Sequence, residues 1–261
     1  MTGSAPKAVG RLAGRTALVT GGGSGLGAVL AHALADAGAR VVAVGRTLDA
    51  LERTARARPG SVRAARCDVT DPASVDALAG ALAAERVDIL VNNAGVPGPV
   101  APLTAIEPDD WDEVFSVNVR GVYLMCRAFL PGMTERGEGD VLNIASVSGK
   151  RPLAGRTPYC ASKAAVLGLT SALAAEAGPL GVRVNSLSPG PVDSERMRRN
   201  FRLEAERTGV SYEEAERAFV SRALLERMVT EEEVAAAAVA MIGMSGLCAA
   251  DLDLSAGMVA R

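Results

Sequence analysis

The chain has 261 residues, with 28 Lys+Arg against 30 Asp+Glu and a formal net charge of −2. This balance, with no basic stripe, argues against nucleic acid or an acidic membrane surface and for a small-molecule partner. Cys67, Cys126, Cys160 and Cys248 form no Cys-x-x-Cys pair and His32 is the sole histidine, so neither a disulfide framework nor a metal site has its ligands.

The first ten residues carry no apolar signal core and no run of 18 apolar residues follows, which predicts a cytoplasmic protein. The length suits a mobile arm over residues 1–10 followed by one α/β domain, residues 11–261. Residues 16–20 form a short apolar, β-branched run, as a buried parallel strand does. It ends in Gly21-Gly22-Gly23-Ser24-Gly25-Leu26-Gly27 and a helical pattern over residues 26–37, stopped by Gly38. Strand, glycine turn and helix in this order present bare N–H groups at a positive helix end, where a pyrophosphate can bind. A Cβ would block the turn or the approach of the ligand, hence the glycines. His32, inside that helix, reads as packing or surface.

A second strand over residues 40–44 leads to Gly45-Arg46-Thr47. An acid at this tip would accept from ribose hydroxyls; here Arg46 stands instead, suited to a 2′-phosphate, with room left by Gly45 and a hydroxyl from Thr47. This favours NADP(H), and NAD(H) stays open if Arg46 only covers the adenine or points to water.

Residues 61–67 predict a third strand ending at Asp68-Val69, placed to contact the adenine. Asp71-Pro72 starts a helix running to about residue 85. Residues 87–91 predict the fourth strand, breaking at Asn92-Asn93-Ala94-Gly95, where Asn side chains can tie neighbouring strands and Ala94 and Gly95 leave space beside a flat ligand. One or two helices over residues 108–136 contain Asn118, and residues 139–146 form a fifth strand. Tyr159 and Lys163 then lie four residues apart on a helix and share a face, so the ammonium favours the phenolate and Tyr159 can act as general acid/base. After a sixth strand over residues 181–187 comes a charged, helix-rich insertion, residues 195–228. Ser211-x-x-Glu214 and Thr230-x-x-Glu233 read as capping boxes. The alternation predicts a doubly wound parallel sheet.

The run from Thr20 to Gly27, Asn92 to Gly95, Asn118, Ser146, Tyr159-x-x-x-Lys163 and Ser188-Pro189-Gly190, in this order and spacing, resembles the short-chain dehydrogenase/reductase family over residues 12–258. The resemblance implies one Rossmann-type domain with about seven strands in the order 3-2-1-4-5-6-7, helices on both faces and a helical lid over residues 195–228. It implies an oxidoreductase interconverting a ketone or aldehyde and an alcohol with NAD(P)(H), and a homotetramer or dimer. Tyr159 would exchange the proton with the substrate oxygen, Lys163 would assist it and bind the nicotinamide ribose, Ser146 would orient the oxygen, and Asn118 would hold a water linking Lys163 to solvent.

By the same resemblance, Gly21, Gly25 and Gly27, with Gly23, Ser24 and Leu26, approach the pyrophosphate and Asn92 lies beside the adenosine. Pro189, Gly190 and Val192 border the nicotinamide, and Ser194 stands where a threonine is usual. Ser148 and Arg156 join Ser146 and Tyr159 at the substrate, Arg156 as a candidate for a carboxylate or phosphate. The segment from Glu204 to Glu214 is similar to lids of 3-hydroxybutyrate-dehydrogenase-like members, yet Ser148 replaces their histidine and Arg46 does not suit their NAD. The customary Thr-Gly-Gln before the last strand reads Cys248-Ala249-Ala250, and the closing Gly-Gly reads Ala256-Gly257. Both changes are expected to affect the last strand and subunit contacts. The alternatives are NAD-dependent oxidation of a polyol, sugar or 3-hydroxy acid and, in a different class, a non-catalytic nucleotide-binding scaffold.

Overall fold

The computed structural model describes residues 11–259, so the expected arm over residues 1–10 lies outside the described residues. The strands β1 (Thr16–Thr20), β2 (Arg40–Gly45), β3 (Val62–Arg66), β4 (Ile89–Asn92), β5 (Gly139–Ile144), β6 (Val182–Pro189) and β7 (Asp251–Leu254) form a parallel sheet in the order β3-β2-β1-β4-β5-β6-β7. Between them run α1 (Gly25–Asp36), α2 (Leu48–Arg56), α3 (Pro72–Ala81), α4 (Pro108–Phe115), α5 (Gly121–Arg136), α6 (Thr157–Ala177), α7 (Glu195–Thr208), α8 (Tyr212–Val220) and α9 (Glu231–Ile242). No helix among the described residues is long and apolar enough to cross a membrane.

The central strands are apolar at consecutive positions because both faces are covered. Val19, Val41, Ala43 and Val91 point into a core closed by α1 and α9, through Leu30, Leu34, Val234, Ala238 and Ile242. Their neighbours Leu18, Val42, Val44 and Leu90 point the other way, against Leu78 of α3, Met125 and Phe129 of α5, and Val166 of α6. Alanines let α1 and α9 lie close, which explains a core with few large rings.

The strand order reverses beside β1: β2 and β3 lie on one side, β4 to β7 on the other. Diverging connections open a crevice at the carboxyl ends of β1 and β4, the place where such sheets bind ligands. Several bounds differ from expectation. The third helix stops at Ala81 and tightens into turns through Glu85, whose N–H bonds the Leu82 carbonyl at 2.8 Å. The sixth strand runs on to Pro189 because β7 pairs with it from Ser186 to Pro189. The α4 and α5 helices join through a π-helical turn, Ser116–Arg120, that contains Asn118. Both capping boxes form, at the starts of α8 and α9. Ala249 and Ala256, which stand where glycines were expected, have φ of 55° and 52°, a left-handed backbone that an alanine adopts at a cost.

Candidate active site

A cleft of about 1220 Å³ runs across the carboxyl ends of the strands, from the glycine turn after β1 to α7 and α8. It is large enough for a dinucleotide together with a small substrate. At its first end Gly21 and Gly25 have φ of +68° and +50°. A Cβ on Gly27 would stand 2.0 Å from the Gly21 carbonyl oxygen, so the turn closes this tightly only with glycine. Thr20 and Asn93 hold the turn to β4. The Thr20 hydroxyl accepts from the N–H groups of Asn93 (2.9 Å) and Ala94 (3.0 Å), and the Asn93 amide donates to the Thr20 carbonyl (2.9 Å). Ser24 caps α1 without a side-chain hydrogen bond to the helix, so the first N–H groups of the helix are left for other acceptors, the Glu231 carboxylate standing at the Leu26 N–H. The residues present therefore fit a pyrophosphate.

Arg46 and Thr47 are exposed on the cleft wall, and Arg46 makes no ion pair among the described residues. Asp68 faces it. The Thr70 N–H and hydroxyl hold the Asp68 carboxyl below its usual range, and the charge of Arg46 adds to this. Val69 is buried against Gly121, where a Cβ would approach it to 2.9 Å.

One predicted contact is corrected by strand geometry. Side chains alternate across a strand, and Asn92 falls in line with Leu90, toward α5 and α6, not toward the ligand. It is 3% exposed and donates to Asn143 Oδ1 at 2.8 Å, and Asn143 donates in turn to Thr170 at 2.9 Å. Asn92 thus ties β4 to β5, and the neighbouring Asn93 lines the cleft.

At the other end Ser146, Tyr159 and Lys163 converge. Ser146 follows β5 and caps a short turn; its oxygen accepts from the Ser148 N–H at 3.1 Å, which leaves its O–H free to donate. Lys163 lies one turn beyond Tyr159 on α6, with Nζ 5.8 Å from the centre of the Tyr159 ring and bonded to the Ile144 carbonyl at 2.7 Å. Burial pushes the Lys163 ammonium down to about 7, and Arg196 adds to the shift. Asn118 does not line the cleft. Its amide clamps Val96, accepting from that N–H at 2.8 Å and donating to that carbonyl at 3.0 Å, and donates also to Ser162 at 3.0 Å. A Cβ on Gly95 would meet Asn118 Oδ1 at 3.1 Å and Lys163 Nζ at 3.7 Å, so both side chains border that glycine.

Ala94, Gly95, Pro189, Gly190, Val192, Ser194, Ser148 and Arg156 all line the cleft. Ser194 caps α7 and donates to the Val192 carbonyl at 3.1 Å. Sequence reasoning missed Arg196, Phe201, Phe219 and Arg222, which close the substrate end, and Glu231, whose carboxylate comes within reach of Gly25. Residues 195–228 hold eight arginines against seven glutamates, a balance that gave no signal for which of them would face the cleft.

With the glycine turn and the Ser146, Tyr159 and Lys163 group in one cleft, the comparisons with known proteins become decisive. A family model described as short chain dehydrogenase matches residues 15–205. The chain belongs to the short-chain dehydrogenase/reductase family. It is an oxidoreductase of that family, acting on CH–OH groups with a nicotinamide dinucleotide. A D-threitol dehydrogenase of Mycolicibacterium smegmatis is 46% identical over 190 residues, 71% of this chain and 73% of the relative. The structure of a 3-ketoacyl-(acyl-carrier-protein) reductase from Brucella melitensis complexed with NADH superposes with a TM-score of 0.84 at 33% identity, covering 95% of this chain and 99% of the other. Actinorhodin polyketide ketoreductase with NADPH gives 0.88 at 33% identity, covering 94% and 97%.

Proposed function

We propose that this short-chain dehydrogenase/reductase interconverts a ketone or aldehyde and the corresponding alcohol, prefers NADP(H), and uses Tyr159 as its general acid/base. The observation that carries the reading is the convergence of Ser146, Tyr159 and Lys163 on one stretch of cleft wall. The nicotinamide supplies or accepts the hydride when bound. Tyr159 gives a proton to the carbonyl oxygen or takes one from the alcohol, and the Ser146 O–H orients that oxygen. Lys163 assists Tyr159 and reaches toward the nicotinamide ribose. Asn118 fixes Val96 beside Gly95 and keeps one lone pair of Oδ1 for a water that passes protons to Lys163.

Residues Gly21 to Gly27 hold the pyrophosphate, Asp68 and Val69 the adenine, and Pro189 to Ser194 the nicotinamide side. Arg46 takes a 2′-phosphate, with Thr47, whose hydroxyl makes no cap bond to α2. Residues 195–228 form the lid. The test is the dissociation constant for NADP(H) and NAD(H), with Arg46→Ala in parallel. NADP(H) should bind at least about tenfold tighter, and the variant should lose that margin, about 1.4 kcal/mol. Equal or tighter binding of NAD(H) would refute the preference. A second reading, oxidation of a polyol, is favoured by the 46% identity to a D-threitol dehydrogenase. A screen of C4 polyols against C4 ketones separates the two.

A further inference from the structure

The substrate end of the cleft carries more positive charge than it neutralises. Three carboxylates line it, and each is committed elsewhere. Both oxygens of Glu204 accept from Arg207, at 2.6 and 3.0 Å. Glu195 pairs with Arg198 and Arg202, and Glu214 is spent in the α8 capping box. Against them stand Lys163, Arg156 and Arg196, none of which forms an ion pair with any described residue. Arg196 reaches only the Gly95 carbonyl. Deeper under α8, Arg222 lies over the Phe219 ring at 5.5 Å, and Arg151, beside it, bonds only backbone carbonyls.

Arg156 is the telling member. It sits at the start of α6, three residues before Tyr159, half-buried in the cleft wall with no hydrogen-bond partner for its guanidinium among the described residues. Burying an arginine without an acceptor is costly, and desolvation holds its pKa below the ordinary value. A planar fork of donors in such a place matches an oxyanion, which it can grip through two parallel bonds.

We infer that the substrate of this enzyme is an anion, a short oxo or hydroxy acid whose carboxylate, or an equivalent oxyanion, seats on Arg156 with Arg196 flanking it. The inference rests on the Tyr159 reading for the position of the reacting carbon. Because Arg156 and Tyr159 share the first turn of α6, the charged group lies only a few bonds from the carbonyl. Arg156 is then a specificity residue: it repels no neutral ligand, but it supplies binding that only an anion collects. The facing Glu204 is the competing partner, and the Arg207 pair keeps it away.

Two measurements test this separately from the chemistry. The first is calorimetric binding of pyruvate, acetoacetate and levulinate, each against its methyl ester, to the enzyme loaded with the oxidised cofactor, where no turnover occurs. At least one acid should bind tenfold or more tighter than its ester, and Arg156→Ala should erase the difference, with Arg156→Lys restoring part of it. Esters binding as well as the acids, or a ratio unchanged in Arg156→Ala, including one kept by an equal loss for both members, overturns the inference. The second is kcat/KM for the same pairs with reduced cofactor. An acid that binds through Arg156 yet is not reduced would leave the anion site standing and count against the proposed reaction.

Discussion

The two ends of the cleft are built from different materials. The nucleotide end is backbone: glycines with left-handed φ, helix N–H groups, and contacts so close that a methyl group has nowhere to go. The substrate end is made of side chains: on α7, Arg198 and Arg202 pair with Glu195 and Arg207 with Glu204 across exposed surface, while Arg156 and Arg196 have no carboxylate among the described residues. A backbone site binds a constant ligand part and tolerates no variation. A side-chain site changes ligand by exchanging partners, one pair at a time.

Gly27→Ala should break the first end most severely. The new Cβ would stand 2.0 Å from a backbone oxygen and 2.6 Å from Asn93 Nδ2, atoms that cannot yield without opening the β1–β4 junction. We expect a loss of about 2–3 kcal/mol of stability, in the range of overpacking, and no measurable cofactor affinity. Calorimetry and denaturation check both. An intact melting curve with normal affinity would contradict the backbone account.

The same contrast explains what the sequence disclosed. The alternation of strands and helices, the glycine turn and the shared face of Tyr159 and Lys163 were legible from local rules of turn geometry, helix spacing and buried-strand composition. The strand order and the place of Ser146 followed only from the resemblance to the family. Asn92 was misplaced because its alternation along β4, not its neighbourhood in the chain, decides which face it takes. Arg196 and Arg222 stayed hidden for another reason. Eight arginines occur between residues 195 and 228, and only the three-dimensional pairing reveals which of them lack a carboxylate. The short α2 brings only Leu51 and Thr54 into the core, too few positions to set a period.

Lys163 gives a prediction of intermediate size with a definite sign. Its folded pKa of about 7 lies below the ordinary 10.5, so between those values the unfolded chain holds a proton that the folded chain has released, and stability rises with pH. Below pH 7 both states are charged and the full cost of burying the ammonium is present. Lys163→Met should therefore raise the Tm of the cofactor-free protein at pH 6, less a pH-independent loss from stranding the Ile144 carbonyl, and the gain should fade toward pH 10. A change independent of pH would contradict it.

Ala249→Gly relieves a left-handed alanine on an exposed turn and should stabilise by up to about 1 kcal/mol in chemical denaturation. Destabilisation would mean that the methyl group packs against something the turn needs. Smallest in stability is Arg207→Ala. Its exposed pair with Glu204 contributes little to stability, and denaturation should barely register it. Its effect should appear at the substrate end: the released Glu204 turns to Arg156, and the preference for acid over ester falls several-fold. An unchanged preference would separate α7 from anion recognition.

The most direct test of the account is Tyr159→Phe, assayed for cofactor binding and for turnover in both directions. The change removes one hydroxyl beside Lys163 and leaves the glycine end untouched. The account predicts a dissociation constant within about threefold of wild type and a kcat lower by about 10²–10⁴, the range of general acid/base catalysis. Turnover within tenfold of wild type, with the cofactor still bound, would contradict it.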